Sequence, residues 1–323
     1  MNVAFDLDSH VFESSPLKTP LSPFPQKGMG VHGLFPFLKK KKVPYTHYHS
    51  FEDFTSTMAN QEFQTYVDFS ACFFNYITTQ LAISTLPWKI DQIIEFIVSI
   101  IKEIPRVVVV FDGPGRSIEK WNTSKARVQK TKSDLEMLKN AITQCSSSNP
   151  INISRSKWRW LNKKLKSCRM LPANVIESIK DVLSARSITI ETAPMEADVL
   201  IASKENAHVL TTDSDYLIHE NVVALHRFRL SNFSKKITIL STERNSILKK
   251  LGIPSQTLTA LGIVSRNDYD TNVAGFGLVR NFEKLKPLNG NVQRILSSYC
   301  KDMSINSNPF QNSISIFVEK IVS

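Results

Sequence analysis

Three runs of mostly apolar residues along the chain each stop at an aspartate. Arg106-Val-Val-Val-Val-Phe-Asp112 is apolar throughout rather than alternating, the pattern of a strand covered on both faces inside a parallel sheet. Comparable runs end at Asp68 and Asp213, and further strands are predicted near Ile188 to Glu191 and Val222 to Leu225. Helical periodicity lies between them. This alternation predicts an α/β fold with a central twisted, mainly parallel sheet flanked by helices on both sides. Ligands of such folds gather beyond the carboxyl ends of the strands, where Asp68, Asp112 and the Asp213/Asp215 pair fall.

Length and composition keep this picture: 323 residues with 42% hydrophobic content allow one large or two modest domains with a substantial core. The most apolar stretch, Ile93 to Phe111, is interrupted by Glu95, Lys102, Glu103, Pro105 and Arg106, which argues against a membrane span. Cys72, Cys145, Cys168 and Cys300 are widely separated without a CxxC pair, so neither a zinc site nor a disulfide framework is indicated, and a reducing intracellular compartment fits.

Charge adds a partner. Arg116 to Arg169 holds 14 Lys/Arg against Glu119, Asp134 and Glu136, a local excess of +11 that equals the net charge of the whole chain. Such a segment is either a solvated basic linker or a surface that tracks phosphates. Trp121, Trp158 and Trp160 lie among these cations, and aromatic faces beside cations suit unpaired bases.

The acidic positions carry the candidate chemistry. An aspartate after a strand ordinarily forms a turn or caps a helix. In Thr211-Thr-Asp-Ser-Asp215, however, two carboxylates two residues apart can face a common cation if the chain stays extended, and magnesium favours such oxygen ligands. Ala193-Pro-Met-Glu-Ala-Asp198 reads as a helix start with Pro194 in the first turn; an ideal helix would set Glu196 and Asp198 about 200° apart. Asp268-Tyr-Asp-Thr-Asn-Val-Ala-Gly-Phe-Gly277 predicts a hairpin between helices, the second following Val279, Phe282 and Leu285, with glycines that leave the backbone open to a phosphate or a monovalent ion.

In order, these segments resemble the flap endonuclease/XPG family of structure-specific 5′ nucleases, from Met29 to about Lys286. Met29-Gly-Val-His-Gly-Leu34 is similar to the family's amino-terminal MG-x-x-GL. Val67-Asp-Phe-Ser70 and Val110-Phe-Asp-Gly113 resemble its two acidic strands, and Ala193 to Asp198 its APxEAE segment. Thr212-Asp-Ser-Asp215 resembles its acidic pair, and Asp268-Tyr with Gly275-Phe-Gly277 its helix-two-turn-helix. The resemblance implies a PIN-like fold and hydrolysis of DNA phosphodiester bonds at flaps or junctions with two Mg2+ ions, Mn2+ being an alternative. It implies Asp68, Asp112, Glu196 and Asp198 as ligands of one cation and Asp213, Asp215 and Asp268 of the other. It further implies Lys120 and Arg127 on one face of the next helix as grips on the scissile phosphate, with Lys125 or Arg116 able to take either role. Gly30, Phe74, Gly275, Gly277 and Arg280 are the implied nucleic-acid contacts; Phe74 reads equally as a core residue.

The implied organisation is a disordered extension over 1–28, a PIN-like nuclease domain over 29–240 with a basic helical arch at about 116–180, a helix-two-turn-helix region over 241–300 and a tail over 301–323. Initiation at Met29 is a further expectation. The family's Gly-Ser before Asp-Tyr is replaced by Arg266-Asn267, and a glutamate by Asp198, changes that could lower activity. Gln311 to Val318 partly resembles a sliding-clamp-binding box and reads otherwise as an alternating strand or packed terminal segment. The implied protein is a nuclear monomer, with a mitochondrial location as the alternative. A catalytically silent binding or regulatory protein and a ribonuclease on the same fold are the competing functions.

Overall fold

The computed structural model describes residues 30–83, 88–115, 120–146, 154–167, 173–232, 234–270, 272–305 and 309–319. The expectations for 1–28, Met29 and Arg116 lie outside these residues, as do the side chains of Trp121, Arg127 and Trp158.

Five strands run parallel: β2 (Thr65–Asp68), β3 (Val107–Phe111), β4 (Thr189–Thr192), β5 (Ala207–Thr211) and β6 (Val222–Leu230). Two more extend the sheet past β6: β7 (Ile237–Glu243), antiparallel to it, and β1 (Thr46–Tyr48), antiparallel to β7. The order across the sheet is β1-β7-β6-β5-β2-β3-β4. The hydrophobic pattern located all five parallel strands, though β6 runs to Leu230 rather than Leu225. It missed β1 and β7. β1 has only three residues, and β7 carries Ser241 and Thr242 at buried positions among its apolar residues, which breaks the hydrophobic pattern.

The apolar run of β3 is explained by the two layers it separates. Val108 and Val110 point into the layer built by α1 (Leu34–Lys40), α8 (Ala197–Ala202), α9 (Arg244–Leu251) and α10 (Ser255–Val264). Val109 and Phe111 point into the layer built by α2 (Phe51–Ala59), α3 (Phe69–Ile83), α4 (Trp88–Lys102) and α7 (Ala173–Ala185). Each fully buried aliphatic side chain contributes roughly 1.5–3 kcal/mol, so neither face of the strand can be polar without loss.

The basic segment forms α5 (Trp121–Ser146) and α6 (Arg155–Ser167), which share a small core of Leu138, Ala141 and Leu161. Beyond α10 follow α11 (Leu278–Leu285), α12 (Val292–Asp302), α13 (Gln311–Ile314) and a π-helical turn, Ser315–Glu319. Helices flank the predicted hairpin, but Val279 is exposed while Phe282 and Leu285 face the core. In the tail, Ile314, Ile316 and Phe317 are buried in the chain's own core. These three side chains pack as the alternative reading of the segment expects, while Val318 is partly buried. Among the described residues no helix is long and apolar enough to cross a membrane.

Candidate active site

Asp68 closes β2. Its Oδ1 accepts the Ala71 N–H at 3.0 Å, capping α3, and its Oδ2 accepts the hydroxyls of Tyr216 at 3.0 Å and Thr211 at 3.3 Å. One strand over, Asp112 follows β3, and its Oδ1 accepts the Ala197 N–H at 3.0 Å, the first amide of α8. The ordinary cap roles are therefore present, and the carboxylates that fill them also act on one another.

Glu196 is the N-cap of α8, with an extended backbone (φ −113°, ψ 139°). Pro194 therefore precedes the helix instead of occupying its first turn, and the ideal-helix separation of Glu196 and Asp198 does not apply. Both carboxylates meet Lys120, whose Nζ donates to Asp198 Oδ2 at 3.1 Å and to Glu196 Oε2. Lys120 itself stands just before α5 rather than on it.

The sequence predicts an extended chain through the acidic pair; the structure turns there. Ser214 has φ −81° and ψ −15°, Asp215 opens a 3-10 turn, and its N–H donates to Asp213 Oδ1 at 3.0 Å. The pair packs against the backbone at Gly30. The Val31 N–H donates to Asp215 Oδ1, and a Cβ added to Gly30 would lie 2.1 Å from Asp213 Oδ1. With φ +87° as well, glycine is required at this position. Asp268, half-buried in the loop after α10, raises the pKa of Asp213 and Asp215 through its charge.

Burial and mutual repulsion set the electrostatics. Asp68 is pushed up to about 7 by burial and by the charges of Asp112 and Asp213. Asp213 is pushed up to about 6 by burial, with Asp198 and Asp268 adding to it, and Asp215 is driven well above the usual carboxylate range by burial and Asp213. Glu196 rises to about 7 through burial and Asp198. Burial also works against ionisation of Asp198, but Lys120 and the Tyr269 hydroxyl, 3.0 Å from Oδ2, hold it below its ordinary value. Burial opposes the charge on Lys120, and Asp198 with Glu196 outweighs it, so its pKa is raised. The seven predicted carboxylates thus form one electrostatic cluster served by a single ammonium group among these contacts.

Among the described residues, no three His, Cys, Asp or Glu side chains are already disposed to hold a metal ion. The donor chemistry nevertheless fits a hard divalent cation: the groups are carboxylate oxygens, they repel one another, and the Lys120 ammonium stands among them as a cation does.

The predicted nucleic-acid contacts are dispersed. Gly275 and Gly277 are exposed with open space where a Cβ would stand, and Arg280 Nη1 donates to Gly275 O at 2.9 Å. Together with His32, Gly33 and Phe37 they line an open groove of about 480 Å³. Phe74 is half-buried on α3, and Gly30 is buried behind the acidic pair. The sequence reading missed Thr211 and Tyr216, which orient Asp68, and the reach of Tyr269 to Asp198. Only the Asp-Tyr step hinted at the last, since no spacing reveals a hydroxyl that crosses between elements.

Residues 170–315 match a family model described as XPG domain containing. No curated protein matches the chain by sequence. Among solved structures, the catalytic core of Rad2 in complex with DNA substrate shares 17% identity over 91% of this chain and 78% of that one, with a TM-score of 0.52. Human GEN1 in complex with Holliday junction DNA shares 15% over 89% and 66%, with a TM-score of 0.54. Flap endonuclease-1 from Methanococcus jannaschii shares 16% over 85% and 82%, with a TM-score of 0.50. These likenesses establish the fold. The class this defines is structural: a fold similar to those of Rad2, GEN1 and flap endonuclease-1, with the match to the XPG-domain-containing model falling on residues 170–315.

Proposed function

We propose that the chain is a divalent-cation-dependent, structure-specific nuclease that hydrolyses DNA at 5′ flaps or other single-strand/duplex junctions, in repair or replication. The observation that carries this reading is the gathering of seven carboxylates, from three strand ends, a helix N-cap, a helix first turn, a 3-10 turn and a loop, into one cluster whose members raise one another's pKa values. Asp68, Asp112, Glu196 and Asp198 would hold one Mg2+ or Mn2+ ion, and Asp213, Asp215 and Asp268 the other. Bound there, the cations would supply an activated water and neutralise charge on the scissile phosphate.

Lys120 is the mobile charge in this scheme: a phosphate oxygen entering the site competes with Glu196 and Asp198 for its ammonium hydrogens. Arg127, seven residues further along the sequence, would join it in gripping the scissile phosphate. Tyr216 and Thr211 hold the Asp68 carboxylate in orientation, and Tyr269 does the same for Asp198. The basic helices α5 and α6, with Trp160 37% exposed, suit an unpaired strand. Gly275, Gly277 and Arg280 suit the phosphates of the duplex, in a helix-two-turn-helix region over 241–300 that follows a nuclease domain over 29–240. Nuclear residence and a monomeric state complete the proposal.

One observation favours the silent, DNA-binding alternative: Lys120 already pairs with two of the carboxylates, and no three of the acids are pre-arranged as ligands. Labelled 5′-flap, nicked, bubble and single-stranded DNA, with a matching RNA flap, decide between the readings. Magnesium-dependent cutting of the DNA flap that stops with chelator is expected. Structure-selective binding without cutting would establish the alternative, and preference for the RNA flap would make the chain a ribonuclease.

A further inference from the structure

The carboxyl-terminal segment 309–319 makes contacts that neither the fold nor the proposed chemistry requires of a tail. Its Ser313 N–H donates to Asp270 Oδ2 at 2.8 Å, and Asn312 Nδ2 donates to Asp270 Oδ1 at 3.0 Å. Ser313 Oγ lies 3.0 Å from Asn267 Nδ2 and 3.2 Å from Asn267 Oδ1, and all three groups are buried or partly so. Asn267 in turn organises the loop: its Oδ1 accepts the backbone N–H groups of Tyr269 and Asp270, each at 2.9 Å. Four residues beyond Ser313, the ring of Phe317 stands edge-on to Tyr269, with centroids 5.5 Å apart and planes at 89°.

Tyr269 is the link to the acids. Its hydroxyl donates to Asp198 Oδ2 at 3.0 Å, and the Lys120 ammonium lies 4.7 Å from the centre of its ring. A tyrosine can hold a carboxylate through its hydroxyl only if its ring and backbone are fixed. Here Phe317 fixes the ring, and the Asn267–Ser313–Asp270 bonds fix the backbone.

We infer that residues 309–319 are a brace whose positioning residues, Ser313 and Phe317, hold the Asn267–Asp270 loop and thereby set the placement of Tyr269, Asp198 and Lys120 in the acidic cluster. This deepens the nuclease reading and rests on it for its catalytic consequence; the mechanical claim stands independently. It also gives a role to Asn267, one of the two residues that replace the family's usual Gly-Ser. Buried side chains with two discrete partners transmit placement more directly than exposed ones.

The test has two readouts on the full chain. Hydrogen exchange in peptides spanning 265–270 should accelerate in Ser313→Ala and in Phe317→Ala, with β2, β3 and β5 protected as in the parent. Single-turnover cleavage at saturating flap DNA should fall roughly 3- to 30-fold in both, while affinity for the same DNA in Ca2+ is unchanged. Phe317→Leu should recover most of the rate, because it refills the space against Tyr269. If Phe317→Ala fails to fold, Ser313→Ala carries the test alone. Unchanged exchange over 265–270 would overturn the brace. So would a rate loss accompanied by equal loss of protection in the sheet, or one that appears only as weaker DNA binding. A parent protein that cuts no substrate would defeat the nuclease reading and leave the exchange result to decide the brace.

Discussion

Lys120 pairs with two carboxylates that a divalent cation would also engage, and this makes its removal informative. The ion pair is largely buried, with 15% of the lysine side chain exposed, so Lys120→Met leaves Glu196 and Asp198 facing each other without a cation. In chelator the variant should be less stable than the parent by about 1–3 kcal/mol. Added Mg2+ should close much of that gap, since the ion takes over the compensating role; chemical denaturation with and without magnesium measures it. A second residue-scale effect lies away from the acids. His226 is buried, bonds to Ser241 Oγ at 2.6 Å, and burial together with His208 pushes its pKa down to about 3. Unfolded, it takes up a proton below about 6.5, so its contribution to stability is lost as pH falls from there towards 3, at up to about 1.4 kcal/mol per pH unit. The raised carboxylates act in the opposite sense, gaining stability on acidification. A His226→Gln variant compared with the parent at pH 7.5, 6 and 5 isolates the histidine, and it should lose less stability than the parent as the pH is lowered.

At the scale of elements, the junction between β3 and the approach to α8 is built around Gly113. Its N–H donates to Met195 O at 2.7 Å, and a Cβ there would stand 1.9 Å from the Ala193 carbonyl. Gly113→Ala should cost about 1–3 kcal/mol, seen as a lower urea midpoint at unchanged slope. β3, which runs into this junction, was legible because burial on both faces leaves an unbroken apolar run, Val107–Phe111. The antiparallel edge was not: β1 is too short for a pattern, and β7 buries Ser241 and Thr242 among its apolar residues. The turns at Glu196 and Asp215 were also hidden, because the choice between helix, extended chain and 3-10 turn there is made by tertiary partners. Ala197 N–H on Asp112 and Val31 N–H on Asp215 are such partners, and local propensity does not report them. The basic helices belong to this scale as well. Replacing Lys125, Lys130 and Lys132 of α5 by alanine should weaken binding to single-stranded DNA and lower the slope of log affinity against log salt by about 2, read by anisotropy titration at several salt concentrations.

Over the whole molecule, the acids that converge come from positions as far apart as Asp68 and Asp268, and only the fold brings them into one field. Strand ends in the sequence point to Asp68, Asp112 and Asp213, whereas Asp198 and Asp268 join them mainly through the family resemblance, because a helix start and a loop carry no such signal. Sequence alone did not anticipate the hydroxyls that orient them, nor the tail that returns to pack on Tyr269, because these depend on contacts between distant segments. We propose this cluster as a divalent-cation site. Titration with Mn2+, counting bound ions by their electron paramagnetic resonance, tests it without reference to any substrate. Saturable binding of about two ions per chain is expected, reduced by Asp213→Asn and by Asp112→Asn. No saturable binding by the parent protein, or binding unchanged in both variants, would contradict it.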